Sequence, residues 1–303
     1  MDTMSENGPV IRILDDGKDH PLIGQGNTAE IYNYSEKVIL KLFREGMPQD
    51  TVEREARCAE SIGGVFPDTP HSLGIVRYRN RLGILYEKVS GTDMIRELFR
   101  HPFRFGSYGK TLAQIHLKMH RIDIELPYTL KDKLEREISF APDLTEHEKE
   151  TVLQILQEMP EDTKLCHNDL HPGNIMIAND GYIVIDWLTA AAGNPAADVS
   201  RTLLLLRFGE PMHISMLKRV LIRFGMSVLR GSYRKHYLAN SRIPMSEIRG
   251  WVLPVAAARL SEWLTEHERD QLLRFIRKRL AKNGPRSDII DEYVAVETDN
   301  SNE

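Results

Sequence analysis

The sequence has few cysteines, no long apolar run and no excess of basic charge. Cys58 and Cys166 are the two cysteines among 303 residues, too few for a framework of disulfides. No stretch approaches the roughly 18 apolar residues that a membrane-spanning helix needs, and the first ten residues lack the basic-then-apolar order of a signal peptide. These absences predict a cytoplasmic protein that has no membrane partner.

The charge balance gives no reason to expect nucleic acid as a partner. The chain carries 40 Lys and Arg against 44 Asp and Glu, a net charge of −4, whereas surfaces that bind nucleic acid are basic. An acidic block at 123–162 and a basic block at 195–283 are typical of solvated helix faces, and a pocket-lining role for either block stays open. With 41% hydrophobic and 28% charged residues, the composition is that of a globular protein.

The segment 164–187, KLCHNDLHPGNIMIANDGYIVIDW, has the pattern of a polar loop followed by a short hairpin. Two apolar runs flank Asn179-Asp180-Gly181, whose Asp-Gly step readily takes the positive φ angles of a tight turn. Polar side chains occupy the loop and the end of the second strand: His167, Asp169, Asn174 and Asp186. Two carboxylates and a carboxamide at one end of a hairpin are suited to holding a divalent cation and orienting a hydroxyl for phosphoryl transfer.

The spacing His167-x-Asp169-x-x-x-x-Asn174, with Asp186 in a later Ile-Asp-Trp, resembles the catalytic and metal-binding segments of kinase-fold enzymes. More narrowly, HNDLHPGNIM with IDW resembles the aminoglycoside phosphotransferase and choline kinase-like family. The resemblance implies that Asp169 is the catalytic base, that His167 braces the loop, and that Asn174 and Asp186 hold Mg²⁺. Protein kinases usually carry lysine where His171 stands, which favours the small-molecule branch.

Residues 20–43 have the pattern of an antiparallel hairpin with a Gly-rich connection, followed by a third strand. Residues without a Cβ let backbone amides approach the oxygens of a triphosphate closely. The residues predicted to do so are Gly24, Gly26, Asn27 and Thr28. Ala29 replaces the third glycine of the protein-kinase pattern, and GxGxxA alone is more often an ordinary turn; the flanking strands favour the phosphate-binding interpretation.

A lysine and a glutamate follow at positions that match the family. Lys41 lies in the third strand, VILKLF, fifteen residues after Gly26, and the resemblance implies that it contacts the phosphates; an exposed strand lysine is the alternative. The next helix, bounded by Pro48 and Gly63, carries Glu55 on an apolar stripe, where a charge needs a partner. The family supplies an ion pair, so we predict Glu55 with Lys41, and Glu53 as the alternative.

Residues 74–89 have the pattern of a further hairpin that closes the sheet and leads into a hinge. In a kinase-like fold the hinge backbone meets the adenine, so the resemblance implies nucleotide contacts at Glu87 and Val89. Helices are predicted at 93–100, 104–121, 130–140, 144–159, 212–238, 245–264 and 267–282. His116 fits a satisfied buried histidine with an architectural role. Asp198 fits a residue that starts the apolar helix VSRTLLLLRF or anchors a loop.

Together the patterns predict an α+β, two-lobed, protein kinase-like fold: a small antiparallel sheet lobe with one helix, residues 1–88, and a mainly helical lobe, residues 89–303. The predicted activity moves the γ-phosphoryl group of ATP or GTP, with Mg²⁺, to a hydroxyl of a small molecule such as an aminoglycoside, amino-alcohol or sugar. Three alternatives stay open. They are an enzyme that phosphorylates proteins, a nucleotide-binding regulator without turnover, and a metal hydrolase built on His167, Asp169 and His171.

Overall fold

A computed structural model describes residues 11–14, 17–179, 181–208 and 216–281, and only the backbone of 216–221. The chain divides into two compact units. Of the described residues, the first unit contains those up to Thr92 together with Ile175–Thr189, and the second contains Asp93–Asn174 together with those from Ala190 onward. The division into domains after residue 88 stays a prediction.

The first unit is built on a six-stranded sheet. Its strands are β1 (Arg12–Leu14), β2 (Leu22–Gln25), β3 (Ala29–Asn33), β4 (Val38–Phe43), β5 (Ser72–Tyr78) and β6 (Arg81–Glu87). Their order is β1-β5-β6-β4-β3-β2, and among these pairs β1 with β5 is parallel while the others are antiparallel. The hairpins predicted at 20–43 and 74–89 are confirmed.

Apolar residues cover both faces of the central strands. Helix α1 (Gln49–Gly63) packs against the sheet, and Val52 and Ala56 join Phe43 and Ile84 in one cluster. A second cluster groups Leu40 and Leu42 with Val76, Tyr78 and Leu85. Because β4 contributes to both clusters, its sequence is apolar at successive positions and not only at alternate ones.

A three-stranded sheet carries the predicted tight hairpin. Its strands are β7 (Gly91–Asp93), β9 (Ile175–Ala178) and β10 (Gly181–Val184), in the order β10-β9-β7. The antiparallel pairing of β9 with β10 confirms the hairpin; Asp180 of its turn lies outside the described residues. The sequence predicts the helix at 93–100, which begins at Met94, but it does not predict the short strand β7 that precedes it. A Cβ on Gly91 would lie 2.3 Å from the Ile177 carbonyl oxygen, so glycine is what lets this strand approach β9.

The second unit is mainly helical. Its long helices are α2 (Met94–Arg100), α3 (Phe105–Met119), α4 (Leu130–Ser139), α5 (Glu146–Glu158), α6 (Pro195–Phe208), α7 (Met216–Asn240), α8 (Met245–Ala258) and α9 (Glu266–Leu280). The predicted helices are confirmed to within a few residues, apart from the end of the helix predicted at 245–264; residues 212–215 and 282 of the predicted helices lie outside the described residues. Strands β8 (Lys164–Cys166) and β11 (Ala191–Gly193) pair antiparallel before α6. None of the helices in the described ranges combines the length and apolarity needed to cross a bilayer.

Two helix boundaries differ from the prediction in a way that matters for the site. Helix α6 begins at Pro195, three residues before Asp198, because the Asn194 side chain accepts the Ala196 N–H at 2.8 Å and caps it. Helix α8 ends at Ala258, after which a 3₁₀ turn, Arg259–Ser261, leads to an extended Glu262. These boundaries place the side-chain carboxylates of Asp198 and Glu262 where each contacts another segment of the helical unit.

Candidate functional site

In the first unit, a buried lysine joins two carboxylates. Lys41 Nζ lies 2.7 Å from Glu55 Oε1 and 2.8 Å from Asp186 Oδ1, and the Tyr86 hydroxyl lies 3.0 Å from the same Glu55 oxygen. The predicted pairing of Lys41 with Glu55 is confirmed. The alternative, Glu53, is half-buried and accepts a hydrogen bond from the Gln49 side chain instead.

Strand alternation explains how Lys41 reaches this position. Side chains two apart on a strand share a face, so Lys41 points to the same side as Phe43, which packs in the cluster with α1 residues. Burial lowers the pKa of Lys41, but the carboxylates of Asp186 and Glu55 outweigh burial and hold that pKa above its ordinary value. The lysine is therefore a fixed positive charge.

Asp186 follows the hairpin in a left-handed backbone conformation, with φ +67. Non-glycine residues adopt this conformation at a cost of about 1–3 kcal/mol and keep it where surrounding contacts enforce it. The next residue supplies such contacts, because the buried Trp187 donates from Nε1 to Thr69 Oγ1 at 2.7 Å and packs edge-on against Phe66. The Asp186 side chain remains 40% exposed, so its carboxylate is open to a ligand.

The Gly-rich connection between β2 and β3 is held by its own backbone. The Gly26 N–H donates to the Ala29 carbonyl at 2.8 Å, and Arg44 donates to the carbonyls of Thr28 and Gly26. A Cβ built on Gly24 or Gly26 would meet no atom closer than 3.7 Å. Local packing thus leaves room for a side chain at both glycines, which favours a ligand as the reason for their small size.

The predicted hinge residues lie at the end of β6. The Glu87 N–H donates to the His71 carbonyl at 3.0 Å, and the Lys88 N–H donates to the Lys37 carbonyl at 2.8 Å. Glu87 is exposed and Val89 is half-buried. These bonds fix the course of the backbone, while contact of Glu87 and Val89 with adenine stays a prediction.

In the second unit, Asp198 anchors the loop that carries Asp169. Its two carboxylate oxygens accept the backbone N–H groups of His167 and Asn168 at 2.7 and 2.9 Å. Both of those residues are fully buried, and Asn168 has a left-handed φ of +62. The prediction that Asp198 anchors a loop is confirmed, and the fixed His167 backbone supports the role of loop brace.

Two histidines of α3 approach the same aspartate. Their Nδ1 atoms lie 2.7 Å from the Tyr233 hydroxyl for His116 and 2.8 Å from the Tyr237 hydroxyl for His120. The Nε2 atoms lie 2.9 and 3.3 Å from Asp198 Oδ2. Burial and the neighbouring His116 lower the pKa of His120 to about 4, although the carboxylate of Asp198 acts to raise it. His120 is therefore neutral at neutral pH.

Asp169 is oriented by its neighbours on the loop. The Asn174 side-chain amide donates to the Asp169 carbonyl at 2.8 Å and to its Oδ2 at 3.1 Å. His171 Nε2 lies 3.7 Å from the same oxygen, and its Nδ1 accepts the Gly173 N–H. Burial raises the pKa of Asp169, but His171 and Arg201 outweigh burial and hold that pKa below its usual range. Asp169 is an oriented, ionised carboxylate.

Arg201 belongs to this site and the sequence prediction missed it. Its guanidinium is 3% exposed and lies 3.6 Å from Asp169 Oδ1 and 2.5 Å from Glu262 Oε1. The available signal was an arginine inside the otherwise apolar helix VSRTLLLLRF, because a buried charge requires an ionic partner. Its partner Glu262 gives no such signal, since it follows a turn at the end of α8.

Each unit thus brings its predicted residues together. Lys41, Glu55 and Asp186 form one connected group, and Asp169 and Asn174 form another beside the anchored His167 backbone. In the part of the chain that the structure describes, the cluster with metal-ligand spacing is His116, His120 and Asp198. The set His167, Asp169 and His171 is not such a cluster there, which disfavours the metal hydrolase.

The comparisons with known proteins identify the fold and the family. A similar fold occurs in amicoumacin kinase hAmiN in complex with AMP-PNP, Ca²⁺ and Ami, which is 14% identical over 91% of each chain with a TM-score of 0.60. The gentamicin complex of APH(2")-IIa is 17% identical over 88% of this chain and 92% of that one, with a TM-score of 0.54. Choline kinase from Cryptosporidium parvum Iowa II is 10% identical over 93% of each chain, with a TM-score of 0.53. No curated protein sequence matches. The model of the phosphotransferase enzyme family, APH, matches residues 22–236. The chain therefore belongs to this family and has the α+β protein kinase-like fold, a sheet lobe and a helical lobe.

Proposed function

We propose that the protein is a small-molecule kinase that transfers the γ-phosphoryl group of ATP to a hydroxyl. The contact of Lys41 with Glu55 carries the proposal. A buried lysine and a buried glutamate are costly to desolvate, and an apolar pair at these two positions would avoid that cost. A lysine held at a fixed position by carboxylates is suited to pairing with nucleotide phosphates, as in kinase-fold enzymes.

Asp169 is the residue that handles the acceptor. Its ionised carboxylate accepts a hydrogen bond from the acceptor hydroxyl and points the oxygen at the γ-phosphorus. As the new P–O bond forms, the bond from the γ-phosphorus to the β,γ-bridging oxygen breaks, ADP leaves, and the hydroxyl proton passes to Asp169. Alignment contributes more than basicity here, because the low pKa of Asp169 makes it a weak base.

Asn174 and Asp186 are the proposed ligands of Mg²⁺. Carboxylate and carboxamide oxygens are the donors that this cation prefers. The amide nitrogen of Asn174 is engaged by Asp169, so its oxygen is the atom offered to a cation, and the Asp186 carboxylate is partly exposed. When bound, Mg²⁺ would neutralise charge on the phosphate oxygens.

The nucleotide would use the first unit. The backbone of the connection that contains Gly24, Gly26, Asn27 and Thr28 would approach the phosphates together with Lys41. Backbone groups at Glu87 and Val89 would meet the base. Backbone recognition of this kind is compatible with ATP or GTP, and we propose ATP because the complexes of hAmiN and of streptomycin with APH(2")-IIa contain adenine nucleotides.

The acceptor is proposed to be a small hydroxyl compound of the aminoglycoside, amino-alcohol or sugar type. Residues 187–194 lead from Asp186 to α6, and three of them form β11, which pairs with β8. This link leaves no room for the long segment on which many protein kinases dock their substrates. His171 at the lysine position of protein kinases supports the same choice.

The test is γ-labelled ATP incubated with the protein, Mg²⁺ and a panel of aminoglycosides, amino-alcohols, sugars and candidate proteins. Label should appear on a small acceptor, and Asp169→Asn should abolish transfer while ATP binding, measured by calorimetry, is retained. Label on protein alone would support the protein-kinase alternative. ATP binding without transfer or hydrolysis in the wild type would support the regulator, and wild-type turnover by Asp169→Asn would remove Asp169 from its role.

A further inference from the structure

A buried arginine in the second unit has only a weak ionic partner. Arg259 lies in the 3₁₀ turn after α8, and it is 3% exposed. Its Nε lies 3.5 Å from Glu262 Oε2, at the limit of a hydrogen bond. Within the described part of the chain, no atom accepts a hydrogen bond from its buried Nη1. Buried guanidinium groups normally have a paired charge and bonded N–H groups, so this arginine requires a further explanation.

Glu262 is shared between two arginines. Its other oxygen, Oε1, lies 2.5 Å from Arg201 Nη1, and Arg201 Nη2 faces Asp169 Oδ1 at 3.6 Å. One carboxylate therefore serves two guanidinium groups, and the shorter contact goes to Arg201. Glu268 also acts on the second guanidinium, but its Oε2 accepts from the backbone N–H and the hydroxyl of Thr265 at the start of α9.

The charge of Arg259 is less well compensated than that of Arg201, although the two side chains are equally buried. Burial lowers the pKa of Arg259 below its ordinary value; Glu262 opposes this effect and the positive charge of Arg201 adds to it. For Arg201 burial acts in the same direction, but Glu262 and Asp169 outweigh it and hold the pKa above its ordinary value. An anion from outside the chain would supply the charge that Arg259 lacks.

The carboxylates of this cluster can be reached from solvent. The side chains of Asp169 and Glu262 are 29% and 25% exposed, so a ligand that binds Asp169 also comes beside the arginines. A guanidinium group presents parallel N–H donors that match the oxygens of a carboxylate or a phosphate. Both oxygens of Glu262 already face arginine, which leaves this carboxylate unsuited to pairing with an ammonium group.

We propose that the acceptor carries an anionic group, a carboxylate or a phosphate, which binds Arg259 while the acceptor hydroxyl meets Asp169. The inference rests on the proposed kinase function, and it narrows the acceptor to sugars and related hydroxyl compounds that bear an acidic group. Arg201 keeps its contacts with Asp169 and Glu262. Aminoglycosides and amino-alcohols would be poor substrates, because their ammonium groups would meet two guanidinium groups.

The first test compares matched acceptors in the γ-labelled ATP assay. One set is glucose, glucuronate, glucose phosphate and glucosamine, and the other is glycerol, glycerate, glycerol phosphate and serinol. In at least one set, an acidic member should exceed the neutral and amine members at least ~10-fold in kcat/KM, and the better acid identifies the group as carboxylate or phosphate. Arg259→Gln should remove this preference without changing the KM for ATP. Equal or better transfer to the amines would overturn the inference and leave the proposed function intact.

The second test measures anion binding without turnover, so it does not depend on the choice of acceptor. Mg-ADP is added to saturation to occupy the nucleotide site, and inorganic phosphate and malonate are then titrated into the protein by calorimetry at constant ionic strength. At least one anion should bind, and Arg259→Gln should weaken its binding at least ~10-fold. Arg259→Lys, which keeps the charge, should restore part of the affinity. The matched control is Arg274→Gln, which replaces an 82% exposed arginine of α9 and should bind as wild type does.

The outcomes of the second test separate the two proposals. Failure of Mg-ADP to bind would count against the kinase function. A wild-type protein that binds Mg-ADP but neither anion would show that water satisfies the Arg259 N–H groups, and the inference would be wrong. Anion binding of equal strength in wild type and Arg259→Gln would likewise overturn it, since the anion would then bind elsewhere.

Discussion

Lys41 Nζ lies 2.7 Å from Glu55 Oε1, and both side chains are less than a tenth exposed. The two residues come from β4 and α1, so the contact ties the helix to the sheet at a polar point within an apolar cluster. Without Lys41 the buried carboxylate of Glu55 would have no cation beside it, whereas Lys41 also contacts Asp186 at 2.8 Å. Stability and nucleotide binding can therefore be separated by changing one partner or both.

We predict that Lys41→Met destabilises the protein by about 3–5 kcal/mol, since it leaves Glu55 as a buried carboxylate without its cation. Adding Glu55→Gln should restore most of the free energy of unfolding, because the neutral amide can still accept from the Tyr86 hydroxyl. ATP turnover should be absent in both variants. Urea unfolding and a transfer assay measure the two effects, and a double variant no more stable than Lys41→Met would contradict this account.

The contact between Lys41 and Glu55 was predictable from sequence because local patterns place both residues, whereas contacts between residues far apart in the chain were not. The pattern of β4 and the stripe of α1 are local, so strand, helix and the inward facing of Glu55 follow from spacing alone. The third member, Asp186, lies 145 residues from Lys41 along the chain. Neither composition nor periodicity encodes that contact; family resemblance indicated the importance of Asp186 but not its pairing with Lys41.

Sequence reasoning missed a very short strand and a contact between two residues that lie far apart in the chain. Strand β7 has three residues, too few for a period, and its pairing depends on the closeness of Gly91 to the Ile177 backbone. Arg201 and Glu262 are 61 residues apart and meet because α8 ends before the predicted boundary. By contrast, the capping boxes at Thr129, Thr145 and Thr265 are local, and they open α4, α5 and α9 close to the predicted starts.

Gly26→Ala should change nucleotide binding without changing stability. The nearest atom to the new Cβ is the Ala29 carbonyl oxygen at 3.9 Å, so the free energy of unfolding should stay within about 0.5 kcal/mol of wild type. If phosphates approach this backbone, the methyl group should raise the KM for ATP about tenfold, equivalent to about 1.4 kcal/mol. Steady-state kinetics and urea unfolding test both parts.

Gly91→Ala is the matched control for the glycine argument. Its Cβ would lie 2.3 Å from the Ile177 carbonyl oxygen, so the substitution should destabilise the protein by about 1–3 kcal/mol as strands β7 and β9 separate. A Gly26→Ala variant with this stability loss, or with an unchanged KM, would show that the connection is an ordinary turn.

Asp186→Asn should remove activity while the fold stays intact. Asparagine tolerates the left-handed conformation of this residue, and Lys41 keeps its contact with Glu55, so stability should change by less than about 1 kcal/mol. Loss of the carboxylate should lower kcat at least ~100-fold and shift the Mg²⁺ dependence to higher concentration. The control is Asp19→Asn, an exposed partner of Arg79, for which a magnesium titration should match wild type.

Arg201→Met tests whether the buried guanidinium positions Asp169. The substitution leaves Asp169 and Glu262 without their shared cation, so the free energy of unfolding should fall by about 3–5 kcal/mol. Introducing Glu262→Gln as well removes the second carboxylate, and part of that stability should return, since the buried Arg259 then loses its 3.5 Å contact with Glu262. In the double variant kcat should remain at least ~10-fold below wild type, whereas the KM for ATP should be unchanged, because Arg201 contacts Asp169 and not the proposed nucleotide-binding residues.

The matched control for Arg201 is Glu262→Gln alone, which keeps the guanidinium 3.6 Å from Asp169. This variant should keep kcat within about twofold of wild type, because the group that faces Asp169 is unchanged and an amide still accepts a hydrogen bond from Arg201. If Glu262→Gln lowers kcat as much as the double variant, then Glu262 and not Arg201 is the residue that matters for turnover. If both variants turn over at the wild-type rate, Arg201 stabilises the helical unit and Asp169 is oriented by Asn174 and His171 alone.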